Sequence, residues 1–286
     1  MIVRTLLIAL ILSPVAAVRA ADPFHPFSFA VLSDLHLSER QGPQRLERAL
    51  QMIRDRKDIA FVLVLGDIVW EKDPAKLKEI CATAGVPVHL VYGNNDWKWV
   101  SNGSYEKAFG PRDYTFDYAN CTYICMWDCL PKGHFPEDHK GDFNDQQWAW
   151  LEDQLKAAVE RGATHTFVAM HIPPSTPGAF DPFFFMYTKT EERFLGLLKQ
   201  YHATAGFFGH LHQRAEFERD GIKMYVNPSC CWNFISKSQK VDSSFLRIVH
   251  VEQDKISDEL IPVHLDGETF TWETLSKFYD PNNHPK

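Results

Sequence analysis

Three things are scarce in this chain. Cysteine is the first, with six in 286 residues and none before Cys81, which argues against lipid attachment near the N-terminus and against a disulfide framework in a chain of this length. Cys121, Cys125 and Cys129 recur at every fourth residue of a strand-like stretch. A rise of ~3.3 Å per residue holds neighbouring members ~13 Å apart, too far to pair. A bridge between the adjacent Cys230 and Cys231 would be strained. The thiols therefore read as mostly buried apolar groups, with one unassigned bridge at most.

Long apolar runs are also missing. Residues 6–18 form a run broken by Ser13 and Pro14, well short of the ~20 residues that span a bilayer. Arg4 ahead of it and Val18, Arg19 and Ala20 behind it fit a signal peptide over residues 1–20, cleaved after Ala20. The mature protein is accordingly expected to be exported, periplasmic or secreted, with no membrane span. The third scarcity is positive charge. Losing Arg4 and Arg19 from the 30 Lys+Arg leaves 28 against 37 Asp+Glu, a formal charge of −9, which disfavours non-specific nucleic-acid binding.

What the chain does have is a set of short apolar runs that end in polar, metal-ligating residues. Residues 61–67 read FVLVLGD, with no polar face, as expected of a strand covered on both sides and ending in a carboxylate, Asp67. Similar runs lead to Asp34 and His36, to Asn94, Asn95 and Asp96, to His171, and to His210 and His212. Five strands that deliver Asp, His and Asn at their ends point to a metal-binding crevice at a sheet edge.

Between these runs lie helix patterns. Leu46, Ala49, Leu50 and Ile53 predict one helix and Leu77, Ile80, Cys81 and Ala84 a second, opened by Asp73-Pro74 and stopped by Gly85. Trp148, Leu151, Leu155 and Val159 predict a third over residues 144–161. Thr188 to Glu191 resembles a capping box for a fourth, with Phe194, Leu197, Leu198 and Tyr201 inward. Residues 114–118 and 121–126 read as an antiparallel pair joined at Ala119-Asn120, with further hairpins turning at Asp220-Gly221 and Asp254-Lys255. One α/β domain with a mixed sheet is expected over residues 21–286, with a polar tail from about Gly267 that carries little signal. Three long connections, residues 97–112, 131–143 and 173–187, have functional length. The third holds Phe180, Phe183, Phe184, Phe185, Met186 and Tyr187, rings that either pack on the domain or face a substrate or partner.

Asp34-x-His36, Gly66-Asp67, Gly93-Asn94-Asn95-Asp96, His171 and Gly209-His210-Leu211-His212, in this order, resemble the five motifs of the calcineurin-like metallophosphoesterase superfamily. The resemblance spans roughly residues 29–227, with softer matches at Phe116-Asp-Tyr, Trp150-Leu-Glu and His171-x-Pro173. It implies a four-layer αββα sandwich of two mixed β-sheets flanked by helices, with two metals at the strand ends. One metal would take Asp34, His36 and His212, the other Asn94, His171 and His210, and Asp67 would bridge them. This donor set suits two divalent ions such as Mn, Zn or Fe. His89, His134, His139, His165, His202, His250 and His264 match no motif and read as structural.

The implied activity is hydrolysis of a small-molecule phosphate ester, a metal-bridging hydroxide attacking phosphorus. Two departures from the family pattern bear on it. Asn95 stands where the family usually has a histidine that assists the leaving group, and an amide cannot donate a proton at neutral pH. General acid catalysis is typically worth ~10²–10⁴-fold, so phosphodiesters with good leaving groups are favoured. Asn95 and Asp96 are thus the candidate catalytic residues beside the metals. Trp70 occupies the second Asp position of the usual Gly-Asp-x-x-Asp motif. The alternatives are a weakly catalytic scaffold or binding protein of the same fold, or a phosphomonoesterase acting on nucleotides or sugar phosphates. The sequence sets no oligomeric state.

Overall fold

The computed structural model describes residues 23–39, 41–70, 74–129, 139–179, 184–236 and 239–276. The expected signal peptide lies outside the described residues, as do Asp73, His134, Phe180 and Phe183.

Two mixed sheets pack face to face. The first carries five strands, β1 (Phe27–Leu32), β2 (Ile59–Leu65), β3 (Val88–Val91), β12 (Phe245–Val251) and β13 (Ile256–Pro262), in the order β13-β12-β1-β2-β3. The second carries six, β4 (Tyr114–Tyr118), β5 (Cys121–Cys125), β6 (His165–Ala169), β7 (Ala205–Phe208), β8 (Ala215–Arg219) and β9 (Ile222–Val226), in the order β4-β5-β6-β7-β9-β8. β1, β2 and β3 are mutually parallel, as are β5, β6, β7 and β9. The expected hairpins β4-β5, β8-β9 and β12-β13 are all present. A separate hairpin joins β10 (Trp232–Ser236) to β11 (Gln239–Asp242).

Residue alternation explains the uninterrupted apolar strands. Phe29, Val31, Phe61, Leu63 and Leu65 meet Tyr123, Cys125, Phe167, Ala169 and Phe207 between the sheets. Ala30, Leu32, Val62 and Val64 face the opposite way, onto the helices α1 (Gly42–Asp55) and α2 (Pro74–Ala82). Ile124, Val168, Met170 and Phe208 lie likewise against α5 (Asp145–Glu160) and α6 (Thr188–Gln200). The central strands β1, β2, β5, β6 and β7 are buried on both faces and have no solvent side to make polar, whereas the edge strands β4, β8 and β13 alternate with exposed residues. The result is the four-layer αββα sandwich.

Several local expectations change. Residues 97–112 are not a plain loop but hold two short helices, α3 (Trp97–Ser101) and α4 (Ser104–Phe109). Val159 is 49% exposed and Ala158 is buried in its place. Thr188 begins α6 rather than capping it: the N-cap is Tyr187, without a side-chain hydrogen bond. Glu191 instead accepts from the Ser175 amide (2.9 Å) and hydroxyl (2.5 Å), tying α6 to the loop beyond His171. The reciprocal cap lies on α5, where Asn144 accepts from the Gln147 amide at 3.0 Å and Gln147 accepts from the Asn144 amide at 3.3 Å. The region beyond Gly267 is not merely polar. Phe270, Trp272 and Leu275, the last two on α7 (Trp272–Ser276), close a small core with Phe245 and Ile235. All six cysteines are buried and unpaired.

Candidate metal centre

Every motif residue follows the C-terminal end of a parallel strand, and both sheets contribute. Asp34 and His36 follow β1, Asp67 follows β2, and Asn94, Asn95 and Asp96 form a 3-10 turn after β3. His171 follows β6, and His210 and His212 follow β7. The turn after β1 is laced to the turn after β2, because Asp34 and His36 donate backbone N–H groups to the carbonyls of Gly66 (3.1 Å) and Asp67 (3.0 Å). Gly209 donates to the carbonyl of His171 at 3.0 Å, joining the two loops of the other sheet.

The backbone at these residues is unusual. Asp34, His36, Asp67, His210 and His212 all have positive φ, between 41° and 69°. Non-glycine residues seldom adopt this region, and strain of this kind persists where surrounding structure fixes it for function. Gly66, at φ 84°, leaves no choice of residue: a Cβ there would sit 2.6 Å from His171 Nδ1.

The side chains converge into two buried groups. Asp34, His36, Asp67 and His212 can each offer an atom within 4.8 Å of the others, and so can Asp67, His171 and His210. Asp67 belongs to both. Its Oδ2 faces His36 Nε2 at 3.7 Å and its Oδ1 faces His171 Nε2 at 3.3 Å. Asp34 Oδ1 lies 3.3 Å from His212 Nε2, which is 3.0 Å from His36 Nε2. His210 Nδ1 faces His171 Nε2 at 3.2 Å. Asn94, in the turn after β3, is a buried residue whose Oδ1 has no hydrogen-bond partner. A buried acceptor left bare is costly unless a ligand fills it. The six Asp and His residues expected as ligands therefore fall in one crevice, and Asn94 brings a bare buried acceptor from the turn that holds Asn95 against Asp67.

Outer contacts fix the tautomers. His171 Nδ1 donates to the Leu65 carbonyl at 2.7 Å and His212 Nδ1 to the Trp232 carbonyl at 2.8 Å, so in each ring Nε2 is the nitrogen turned into the crevice. The hydroxyl of Ser33 donates to Asp34 Oδ2 at 2.5 Å, and the His210 amide donates to the same carboxylate at 3.0 Å. Burial alone would raise the Asp67 carboxyl, but His171, with His36 and His210, overrides it and holds Asp67 well below the ordinary carboxylate range. Burial would likewise lower His171, yet Asp67 and Asp34 push it up to about 10. Burial and the neighbouring His171 drive His210 down to about 3, which keeps it neutral. Two carboxylates ringed by imidazoles make a donor set that suits divalent cations, and the proton His171 keeps beside Asp67 stands where such a charge would sit.

The two residues read as catalytic are placed differently. Asn95 is exposed at the rim and hydrogen-bonded to Asp67. Asp96 is fully buried, and its oxygens accept from the backbone amides of Gly93 (2.8 Å), Val69 (2.9 Å) and Ile68 (3.2 Å). Asp96 thereby supports the loop in which Trp70 replaces the family's second Asp. Trp70 itself is buried, with its amide 3.4 Å from the Tyr105 hydroxyl.

Three residues at the site carry no motif. Asp128, beyond β5, accepts from the amides of His171 (3.3 Å) and Ile172 (2.9 Å), and burial pushes its carboxyl up to about 7. The signal for it was an apolar run ending in Asp, as at Asp67. His139, read from sequence as structural, has its ring 5.8 Å from that of His210 and 5.2 Å from that of Phe184. Trp232 lies against His212 with ring centroids 3.8 Å apart. The aromatic connection divides: Phe184 faces His210 at 5.6 Å, while Phe185 and Met186 are core.

The chain is similar to several known proteins. The chain is 22% identical over 265 residues to a 3′,5′-cyclic-nucleotide phosphodiesterase of Nostoc sp., covering 87% of this chain and 91% of that one. It is 30% identical over 168 residues to a probable cyclic nucleotide phosphodiesterase of Rhodopseudomonas palustris, covering 52% of this chain and 58% of the relative. A dimetal phosphatase from Danio rerio shares the fold, with a TM-score of 0.57 at 17% identity over 85% of this chain and all of that one. Residues 27–214, which contain every ligand of the crevice, match the calcineurin-like phosphoesterase family, and the chain belongs to it.

Proposed function

We propose that the chain hydrolyses phosphate esters at a pair of divalent ions and favours phosphodiesters. The observation that carries the reading is Asp67, buried between two ligand groups with one oxygen turned to each. When bound, two such ions supply Lewis acidity toward phosphoryl oxygens and activate a water for in-line attack. Asp34, His36 and His212 would hold one, and Asn94, His171 and His210 the other. The contacts at Nδ1 of His171 and His212 turn each Nε2 toward the ions, His171 would release its proton as a cation takes that place, and burial keeps those ligands away from bulk water.

Support for diesters comes from two sides. Asn95 supplies no proton to a departing oxygen, and the Nostoc and Rhodopseudomonas relatives carry cyclic-nucleotide phosphodiesterase names. The test is metal-stripped protein reconstituted separately with Mn²⁺, Zn²⁺ and Fe²⁺ and assayed on bis(p-nitrophenyl) phosphate, p-nitrophenyl phosphate and 3′,5′-cyclic nucleotides. Metal-dependent turnover of the diester that Asp67→Asn abolishes is the expected result. Turnover of the monoester alone would reassign the substrate class, and no turnover at all would favour a scaffold.

A further inference from the structure

Asn95 does something at this site that its position in the motif does not announce. Its backbone amide donates to Asp67 Oδ1 at 2.9 Å and its side-chain amide donates to Asp67 Oδ2 at 2.6 Å. We infer that Asn95 is the positioning residue of the shared carboxylate, holding Asp67 in the orientation that faces both ligand groups. The inference rests on the two-metal reading above.

The geometry carries it in three steps. A carboxylate offers about four lone-pair directions, two on each oxygen. Asn95 takes one on each, leaving one on Oδ1 toward His171 and one on Oδ2 toward His36. With both oxygens tethered, the carboxylate is held against rotation about its Cβ–Cγ bond away from the place the two groups share. The approach that allows this depends on Gly93, where a Cβ would overlap Asp67 Oδ1. Asp96 then locks the turn, because its carboxylate binds the Gly93 amide at one end and the Ile68 and Val69 amides beyond Asp67 at the other. Asn94, Asn95 and Asp96 thus divide three tasks among consecutive residues: ligand, carboxylate clamp and loop clamp.

An amide suits the clamp chemically. It donates without adding charge beside the metals and stays a donor at every pH at which the protein folds. Partners of this kind typically alter metal affinity 10- to 100-fold when removed (about that range).

The test uses the full chain, stripped of metal and titrated with Mn²⁺ by calorimetry, with electron paramagnetic resonance reporting exchange coupling between the two ions. Wild type is expected to bind two coupled ions. Asn95→Ala should bind the first ion with little change, bind the second about 10–100-fold more weakly, and lose the coupled signal. Asn95→Leu fills similar space without a donor and should behave like Asn95→Ala; retention of two tightly coupled ions by Asn95→Leu would reduce Asn95 to a packing residue and overturn the inference. Two coupled ions of unchanged affinity in Asn95→Ala would overturn it too. Fewer than two ions in wild type would instead remove the two-metal reading beneath it. Matching circular dichroism of the metal-free proteins verifies that the variants fold.

Discussion

Arg45 and Glu268 meet across 223 positions of sequence in a two-pronged ion pair, Nη2 to Oε1 at 2.6 Å and Nη1 to Oε2 at 3.0 Å. The Arg45 side chain is wholly buried on α1, beneath the segment that follows β13. Glu268 also accepts from the Leu265 amide at 2.9 Å, which fixes it at the mouth of that burial site.

Removing Glu268 leaves the buried Arg45 guanidinium without its carboxylate, with the Gln41 side chain at 2.8 Å and the Val263 carbonyl at 3.5 Å as neutral acceptors. Glu268→Ala is expected to cost up to ~3 kcal/mol of stability, a little below the usual range for breaking a buried pair because Glu268 itself keeps some contact with water. Urea unfolding monitored by tryptophan fluorescence measures it. A loss under ~0.5 kcal/mol, the scale of an exposed pair, would mean that Arg45 finds another acceptor.

Acid sensitivity has an expected source outside the crevice. His89 on β3 stacks on Phe116 with ring centroids 3.5 Å apart, and burial pushes its pKa from 6.5 down to about 4. Between these values the unfolded chain binds a proton that the folded one refuses, so this residue's contribution makes stability fall as pH drops from 6.5 to 4. His89→Phe should flatten that part of the stability-pH curve. Parallel curves for the two proteins would assign the acid sensitivity elsewhere.

Leaving-group dependence tests the missing acid. With the Asn95 amide engaged by Asp67, kcat/KM should fall steeply as leaving-group pKa rises, so aryl diesters outpace 3′,5′-cyclic nucleotides, whose leaving group is an alkoxide. A series of aryl and alkyl phosphodiesters measures the slope. A shallow slope that becomes steep in His139→Ala would locate the acid at His139, beside His210.

Export is proposed from the leader alone. Mass spectrometry of protein recovered outside the cytoplasm should show a mature chain beginning at Ala21. An intact Met1 would reject cleavage.

The ligands were legible because a doubly covered strand has to be apolar to its last residue, so the first polar residue after it stands out. Asp67, Asn94, His171 and His210 could be found in this way, and Asp34 one residue further on, after Ser33. Val159 and Ala158 show where the pattern stops helping: both continue the stripe of Leu155, at a spacing of four or three, and only the direction of the sheet beneath decides between them. Glu268, His139 and Trp232 reach their partners from loops and a hairpin, where no periodicity marks a side chain's direction. The clamp at Asn95 was hidden for a different reason. Its residue type reads as the loss of a proton donor, whereas its meaning comes from a hydrogen bond to a residue 28 positions earlier.

Each ligand group takes side chains from both sheets: His212 closes a set otherwise supplied by the first sheet, and His171 and His210 complete one begun by Asp67 and Asn94. An ion in either place is therefore a staple across the sandwich, fastening its two halves at the edge where the interior apolar layer ends. Folding stability and metal supply become one linked quantity, about 2.7 kcal/mol gained per site at a free ion concentration 100 times its Kd. On the proposed two-ion reading, the melting temperature would rise with the concentration of the metal, and a chelator would lower it.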